Sequence, residues 1–538
     1  MEKILTQNIK GNTAFFQDRV RLAKIVFSLS TITLFAKFFG FAEKFVIAHF
    51  FGTGNTADVY FASTSIIFSI IFLVKELLYP SLLPVFADSL SKSLPTSGNL
   101  FRRIFLSTAF FLALISIVLT CFPMFLTKIF VPGFPELKRL LTANLLRMLA
   151  PAVFLLSLAM VTYITLNARK NFLKAACPEA ALKLLIVIGL LVFVPVLGIY
   201  ALALVLCLGG FGCLLFQLYF IPECRFLLKQ DRDEDNGEHF KRVLLLMGPL
   251  VVGVIFSRIS GIVDNMLAST LPSGHLSYLG YSKKIIDAIL LIGPVALVTV
   301  VYSHLSHLAS AKEYDKFTDL VIQAFRLLLY LSVPIACLLI GLKHPLIRFL
   351  FQRGEFSVDS TLGTSQAFMV YALGLTTFSL ETLLAHSFFA LSDTKTPVKY
   401  GILCVFLDIV LAIVLLRPFG HLGIAGAFVI SKTIKVILLA TILNRKLKRL
   451  FSLDLVIFSA KILITTCSIW FVLNILLRID NPDSLIYTFA LDLLLPGVSA
   501  LLTFVLCSYL LRIDEFSAIV SLLIHRKAAV AELYGGTK

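Results

Sequence analysis

The sequence predicts an all-α polytopic membrane protein of about 14 transmembrane helices, laid out as two six-helix repeats plus two C-terminal helices. Three observations carry this prediction. Of 538 residues, 58% are hydrophobic and 15% charged, and the mean hydropathy is +0.94, which leaves too little polar surface for a water-soluble chain of this size. The apolar runs are long enough, as helices, to cross a hydrocarbon core of roughly 30 Å, and they lack the ten-residue alternation of an outer-membrane barrel. Finally, the charges inside the first apolar run, Lys37, Glu43 and Lys44, are echoed 221 residues later by Arg258 and Asp264.

In chain order the expected spans are 26–51, 59–83, 103–127, 142–167, 175–195, 200–220, 244–270, 277–302, 319–342, 363–391, 398–416, 423–443, 456–478 and 486–511. This divides the chain into an N-terminal cytoplasmic segment (1–25), an N-lobe (26–221), a cytoplasmic linker (222–243), a C-lobe (244–445), a pair of added spans (446–515) and a cytoplasmic tail (516–538). Lys and Arg gather on alternate loops: Lys10 to Lys24, Lys92 to Arg103, Arg169 to Lys174, Lys229 to Arg242, Lys312 and Lys316, Lys395 and Lys399, and Arg445 to Arg449. The positive-inside rule makes these loops cytoplasmic and both termini inside. The opposite loops are poor in cations, with Lys128, Lys138, Arg139 and Arg353 as exceptions. A net charge of +17 fits cytoplasmic loops facing anionic lipid, and the cations inside spans point further, to an anionic substrate; a nucleic-acid partner is not expected.

Nine cysteines show no metal-like spacing and read as small packing residues. No nucleotide-binding or hydrolase motif occurs, so an enzyme is not expected, and neither are catalytic residues, a metal or a cofactor.

The repeat extends to a second pair of segments: Leu166-Asn167-Ala168-Arg169-Lys170-Asn171 aligns with Leu391-Ser392-Asp393-Thr394-Lys395-Thr396 at an offset of 225. Six spans before the polar linker and six after it, in the same orientation, suggest parallel repeats with a polar cavity between halves. Candidate cations in that cavity are Lys37, Lys44, Arg258, Lys283 and Lys284; candidate cavity or gating acids are Glu43, Asp58, Asp264, Asp287 and Glu381. Lys37 lies about 11 residues into its span, roughly 17 Å of rise, near the bilayer midplane, where a cation costs about 2.5 to 3.5 kcal/mol without a partner or a wet cavity. Lys44 falls on the same helix face, and Gly40 between them would let another helix or a bulky substrate approach closely. Arg258 could grip a phosphate with two parallel hydrogen bonds, which makes a diphosphate a sensible guest. Asp287 lies within reach of Lys283 and Lys284. Asp58 reads equally as a helix cap, Lys75-Glu76 as a local ion couple, and Arg326 as a side chain snorkelling to the interface.

These residues resemble the MurJ/MviN family of lipid II flippases, within the multidrug/oligosaccharidyl-lipid/polysaccharide exporter superfamily. The resemblance covers most of the first twelve spans and rests on Gly40-Phe41-Ala42, Phe51-Gly52-Thr53-Gly54-Asn55-Thr56-Ala57-Asp58, Leu83-Pro84-Val85-Phe86, Phe351-Gln352-Arg353-Gly354-Glu355-Phe356 and Asp393-Thr394-Lys395-Thr396-Pro397-Val398-Lys399. It implies a protein of the bacterial cytoplasmic membrane that moves undecaprenyl-diphosphate-linked peptidoglycan precursor from the inner to the outer leaflet by alternating access. It further implies a cationic central cavity, a lipid-tail groove formed by the last two spans, and control by membrane potential or a monovalent ion. Departures from the family pattern are Ala36-Lys37 for Ser-Arg, Glu43-Lys44 for Arg-Asp, Ile70-Ile71 for Arg-Arg, and Lys283-Lys284 for Asp-Arg. Two other readings stay open: export of another lipid-linked oligosaccharide, and a transport-inactive scaffold for cell-wall or division proteins.

Overall fold

Long apolar runs must satisfy every backbone hydrogen bond internally when they meet lipid, and the helix is the open-chain solution. The computed structural model describes residues 28–227, 237–447, 453–477, 488–517 and 520–521, and no strand occurs among them. The expected basic N-terminal segment 1–25, part of the linker (228–236), Lys448 and Arg449, the loop 478–487 and most of the tail 516–538 lie outside the described residues.

The helices are α1 (28–51), α2 (Asn55–Lys92), α3 (Leu94–Cys121), α4 (Pro123–Phe130), α5 (Glu136–Ala168), α6 (Phe172–Leu197), α7 (Ala201–Tyr219), α8 (Glu238–Ser269) and α9 (His275–Leu290). After a π-turn at Leu291–Val295 come α10 (Ala296–Ser310), α11 (Tyr314–Gly341), α12 (Lys343–Phe351), α13 (Val358–Leu373), α14 (Leu375–Ala390), α15 (Lys395–Phe419), α16 (His421–Leu447), α17 (Leu453–Leu476) and α18 (Leu495–Leu510). Eleven helices among the described residues are long and apolar enough to cross a membrane, and twelve if α13 and α14, bent by 40° at Gly374, form one span. The chain is a multi-pass membrane protein.

Packing sorts the chain into two compact units. The first holds residues 1–50 and 55–270; the second holds Phe51–Gly54 and 271–538. By packing, α8 groups with the first unit, whereas the repeat reading makes it the opening span of the second half; contact and ancestry are different partitions. In the first unit α2 and α5 pack against each other, and both carry buried small residues, Ala57, Ala62 and Ser63 on α2 and Ala143, Ala150 and Ala152 on α5. Lipid offers no hydrophobic force between helices, so close backbone approach through small side chains supplies the attraction. Buried hydroxyls such as Ser81, Thr142 and Thr165 bond a carbonyl one turn back, which removes their desolvation cost. A core around Phe86, Phe101, Ile104 and Leu214 closes one end of this unit. In the second unit Phe317, Leu328, Leu383, Phe388 and Leu439 form the corresponding core, and Leu473 of α17 and Ala500 of α18 pack beside Leu342. Arg326, expected to snorkel, bonds Glu515 at 2.6 Å and the largely exposed Asp514 at 3.2 Å, with Phe458 beneath it.

The backbone carries a periodic signature of its own. Gly52 and Gly274 have φ of +55° and +97°, Lys170 and Ser392 both have +59°, and Gly198 and Gly420 have +57° and +56°. Each pair is 222 residues apart. Gly198 and Gly420 separate α6 from α7 and α15 from α16, with ψ of −139° and −131°, a region essentially closed to residues with a Cβ. At the Lys170 and Ser392 turns the same two hydrogen bonds close the helix: Asn171 N to Leu166 O beside Lys170 N to Asn167 O, and Asp393 N to Phe388 O beside Ser392 N to Phe389 O.

Candidate functional site

Within the first unit the charges of α1 separate. Lys37 is exposed, whereas Glu43 and Lys44 are buried. Lys44 Nζ donates to Glu43 Oε1 at 3.0 Å, and the Tyr60 hydroxyl of α2 bonds to both. Burial of two opposite charges is tolerated because each receives charge-assisted hydrogen bonds. Lys44 is therefore a member of a knot rather than one of two lysines on an open stripe. Lys183 of α6 completes this knot: its field reaches the Glu43 carboxylate, its Nζ lies 5.4 Å from the Phe68 ring, and its stem passes the spot where Gly40 lacks a Cβ. Gly40, expected to admit another helix or a bulky substrate, receives the flexible Lys183 stem of α6.

Asp58 does more than cap a helix. Its Oδ2 accepts from Lys138 Nζ of α5 at 2.6 Å, with both side chains almost completely buried and the ammonium 4.2 Å from the Phe134 ring. Lys138 and Arg139, which broke the loop-charge pattern, are consumed locally: Arg139 donates to the carbonyls of Pro132 and Phe134 at 3.0 Å each. Glu76 bonds to Arg258 rather than to its neighbour Lys75, and Arg258 lies over Phe72 at 5.5 Å. Lys75 sits over the Tyr163 ring at 5.2 Å. Asp264 is half-buried on α8.

In the second unit Lys284 and Asp287 form an exposed pair on α9 at 3.8 Å, and Lys283 lies 4.4 Å over the Phe428 ring. Glu381 of α14 accepts from two lysines of α16 through one oxygen, Lys432 at 3.0 Å and Lys435 at 2.6 Å. Neither lysine was singled out from the sequence, although both lie inside the expected span 423–443. The expense of an intramembrane cation is the signal that would have found them.

Two of the five motifs that carry the family resemblance, at residues 51–54 and 351–356, meet inside the second unit. Tyr281 Oη donates to Gly52 O at 2.9 Å, Ser277 Oγ to Thr53 O at 3.2 Å, and Thr53 Oγ1 lies 2.7 Å from Ser360 Oγ. A Cβ at Gly52 would stand 2.2 Å from Glu355 O, so only glycine fits. In the motif at residues 393–399 Asp393 caps α15, accepting from Thr396 N at 3.0 Å and Thr396 Oγ1 at 2.8 Å, and it pairs with Lys446 at 2.5 Å. These bonds, that from Lys446 foremost, hold its carboxyl well below the usual range, at about 2. Near the equivalent position of the first unit, Arg169 grips the fully buried Glu223 with two nitrogens, at 3.0 and 2.5 Å. Among the described residues no cluster of three metal-ligating side chains occurs, and all nine cysteines are free.

Long apolar helices that carry cations paired with acids are the marks of a polytopic membrane transporter. The fold is similar to that of a solved lipid II flippase MurJ in an inward closed conformation, with a TM-score of 0.75 and 22% identity over 90% of this chain and 99% of that one. It is also similar to an inward-facing multidrug resistance MATE family transporter of the MOP superfamily, with a TM-score of 0.66, 14% identity, and coverage of 77% and 95%. Curated relatives include the probable lipid II flippases MurJ of Buchnera aphidicola from Acyrthosiphon pisum, 29% identical over 78% of this chain and 83% of the relative, and of Vibrio cholerae, 26% identical over 78% and 82%. The family described as lipid II flippase MurJ matches residues 47–494, and the chain belongs to that family.

Proposed function

We propose that this protein carries lipid II, the undecaprenyl-diphosphate-linked peptidoglycan precursor, from the inner to the outer leaflet of the bacterial cytoplasmic membrane. The observation that carries this reading is the family match across residues 47–494, which spans most of both units. The protein converts no bond; it moves a lipid whose anionic head cannot cross hydrocarbon unaided. Lysines and Arg258 at mid-depth supply the counter-charge for that head. Alternating access, coupled to membrane potential or a monovalent ion, is the accompanying mechanism.

Fourteen spans follow when α6 and α7 count separately and α1, whose three charges keep it out of the purely apolar set, is added. Pairs of positive-φ residues at a constant 222-residue offset support two parallel repeats. So does the ion pair that each repeat builds near the same place with signs exchanged, Arg169 with Glu223 and Lys446 with Asp393. Basic residues on alternate loops support both termini inside, and α17 with α18 stands as the lipid-tail groove. Cell-wall or division proteins are further partners under this reading.

The test is complementation of a conditional lipid II flippase depletion strain with the wild type and with Lys37→Ala, Arg258→Ala and Lys284→Ala, each checked for membrane insertion. Rescue by the wild type and its loss in the variants is expected. A well-inserted wild type that does not rescue would count against the substrate assignment.

A further inference from the structure

Lys432 and Lys435 stand one turn apart on α16, 11 and 14 residues after its start at His421, so both lie roughly 16 to 21 Å along the helix, at mid-bilayer depth. Their ammoniums share a single oxygen of Glu381. One carboxylate neutralises one of them. Lys283 adds a third ammonium, since it and Lys432 lie 4.4 and 5.6 Å from the same Phe428 ring. Phe428 stabilises cations through its quadrupole without cancelling their charge. Among the described residues a nearby acid is Asp408 on α15, one turn from Cys404, and Asp287 of α9 pairs with Lys284; counting Asp408 fully against the cluster still leaves three ammoniums to two carboxylates. The Lys432 side chain is not sealed, keeping 29% of its exposure.

Excess positive charge at this depth is expensive, and an incoming anion relieves it. Given the transport reading above, we infer that Lys432 and Lys435, with Lys283, form an oxyanion subsite for the transported lipid. Glu381 holds the two ammoniums in place and releases one when the anion arrives. Lysine suits this exchange better than arginine: a compact ammonium on a flexible stem trades one acceptor for another, whereas a guanidinium locks onto one carboxylate through two bonds. The chemistry recognised is a phosphate or carboxylate oxygen, which a lipid-linked peptidoglycan precursor offers in its diphosphate and in its peptide carboxylates.

The experiment measures binding of undecaprenyl diphosphate and of complete lipid II to the full chain in nanodiscs, with thermal unfolding as the check on folding. Lys432→Gln with Lys435→Gln should weaken lipid II binding about tenfold or more, the loss of charge-assisted bonds. Equal weakening of both ligands assigns the subsite to the diphosphate; weakening of lipid II alone assigns it to the peptide carboxylates. Glu381→Gln should bind at least as tightly as the wild type, because it frees both ammoniums, and weaker binding there overturns the subsite even where the double variant does not fold. A folded double variant with wild-type affinity for both ligands overturns the subsite alone. A wild type that binds neither ligand overturns the transport reading and the subsite with it.

Discussion

The Asp58–Lys138 pair allows a quantitative test of how the first unit holds charge. Both side chains are nearly sealed, at 2% and 6% exposure, and the contact is 2.6 Å. Lys138→Met keeps the length of the side chain but leaves a buried carboxylate without its ammonium, a change that costs about 3 to 5 kcal/mol when no other group compensates. Asp58 stands in the first turn of α2, where the helix dipole favours an anion by up to about 2 kcal/mol, so the lower end, about 3 kcal/mol, is expected. Asp58→Asn leaves the ammonium over the Phe134 ring, which retains part of its stabilisation, and should cost about 2 kcal/mol. On the scale of about 2 to 4 °C per kcal/mol for a domain of similar size, Lys138→Met lowers the unfolding midpoint by roughly 6 to 12 °C. The double variant removes both charges and should cost less than the two singles together, by about 2 kcal/mol of coupling. Thermal unfolding in nanodiscs, followed by tryptophan-independent far-UV circular dichroism, reads all four corners of the cycle. Additivity within about 0.5 kcal/mol would refute the claim that the two groups stabilise each other.

Two further outcomes follow from local geometry. Gly52→Ala forces a Cβ into Glu355 O at a positive φ and should abolish stable insertion, whereas Gly40→Ala meets only the Lys183 stem at 3.7 Å and should change unfolding by less than about 1 kcal/mol; expression and midpoint measured side by side decide it. Asp393 is held at about 2 against an ordinary 3.8, so its contribution is complete above about pH 4 and fades as pH falls toward 2. The midpoint difference between wild type and Asp393→Asn, worth at most about 1 kcal/mol at this solvent-facing site, should be flat from pH 7 to 4 and shrink below; a difference that grows on acidification contradicts the pairing.

Helix content was legible because lipid-facing backbone has one open-chain solution and apolar run length reports it directly. The special charges were legible for a similar reason: a lysine or glutamate inside an apolar run is conspicuous whatever it contacts. Partnerships were not. Asp58 finds Lys138 80 residues away and Arg258 finds Glu76 182 residues away. Helical periodicity ranks neighbours at i+3 and i+4 and is silent on which helices lie side by side. Hence Glu76 is read with Lys75, and Asp58 equally as a cap and as a cavity acid, with Lys138 named for neither.

What separates a structural charge from a working one here is stoichiometry. Asp58 with Lys138 and Glu223 with Arg169 each seal one acid against one cation. Such a pair, once formed, has nothing left to offer a substrate without breaking. Two clusters within spans set two lysines against one acid, one in each unit: Glu43 lies in the field of both Lys44 and Lys183, and Glu381 bonds both Lys432 and Lys435. Each has an aromatic face beside a lysine, Phe68 under Lys183 and Phe428 under Lys432. A ring stabilises an ammonium while leaving its charge uncancelled, so these two knots keep positive potential at mid-membrane that the one-to-one pairs have discharged. Under the proposed transport of lipid II, each unit by itself thus keeps an uncancelled cation that an anionic head can meet.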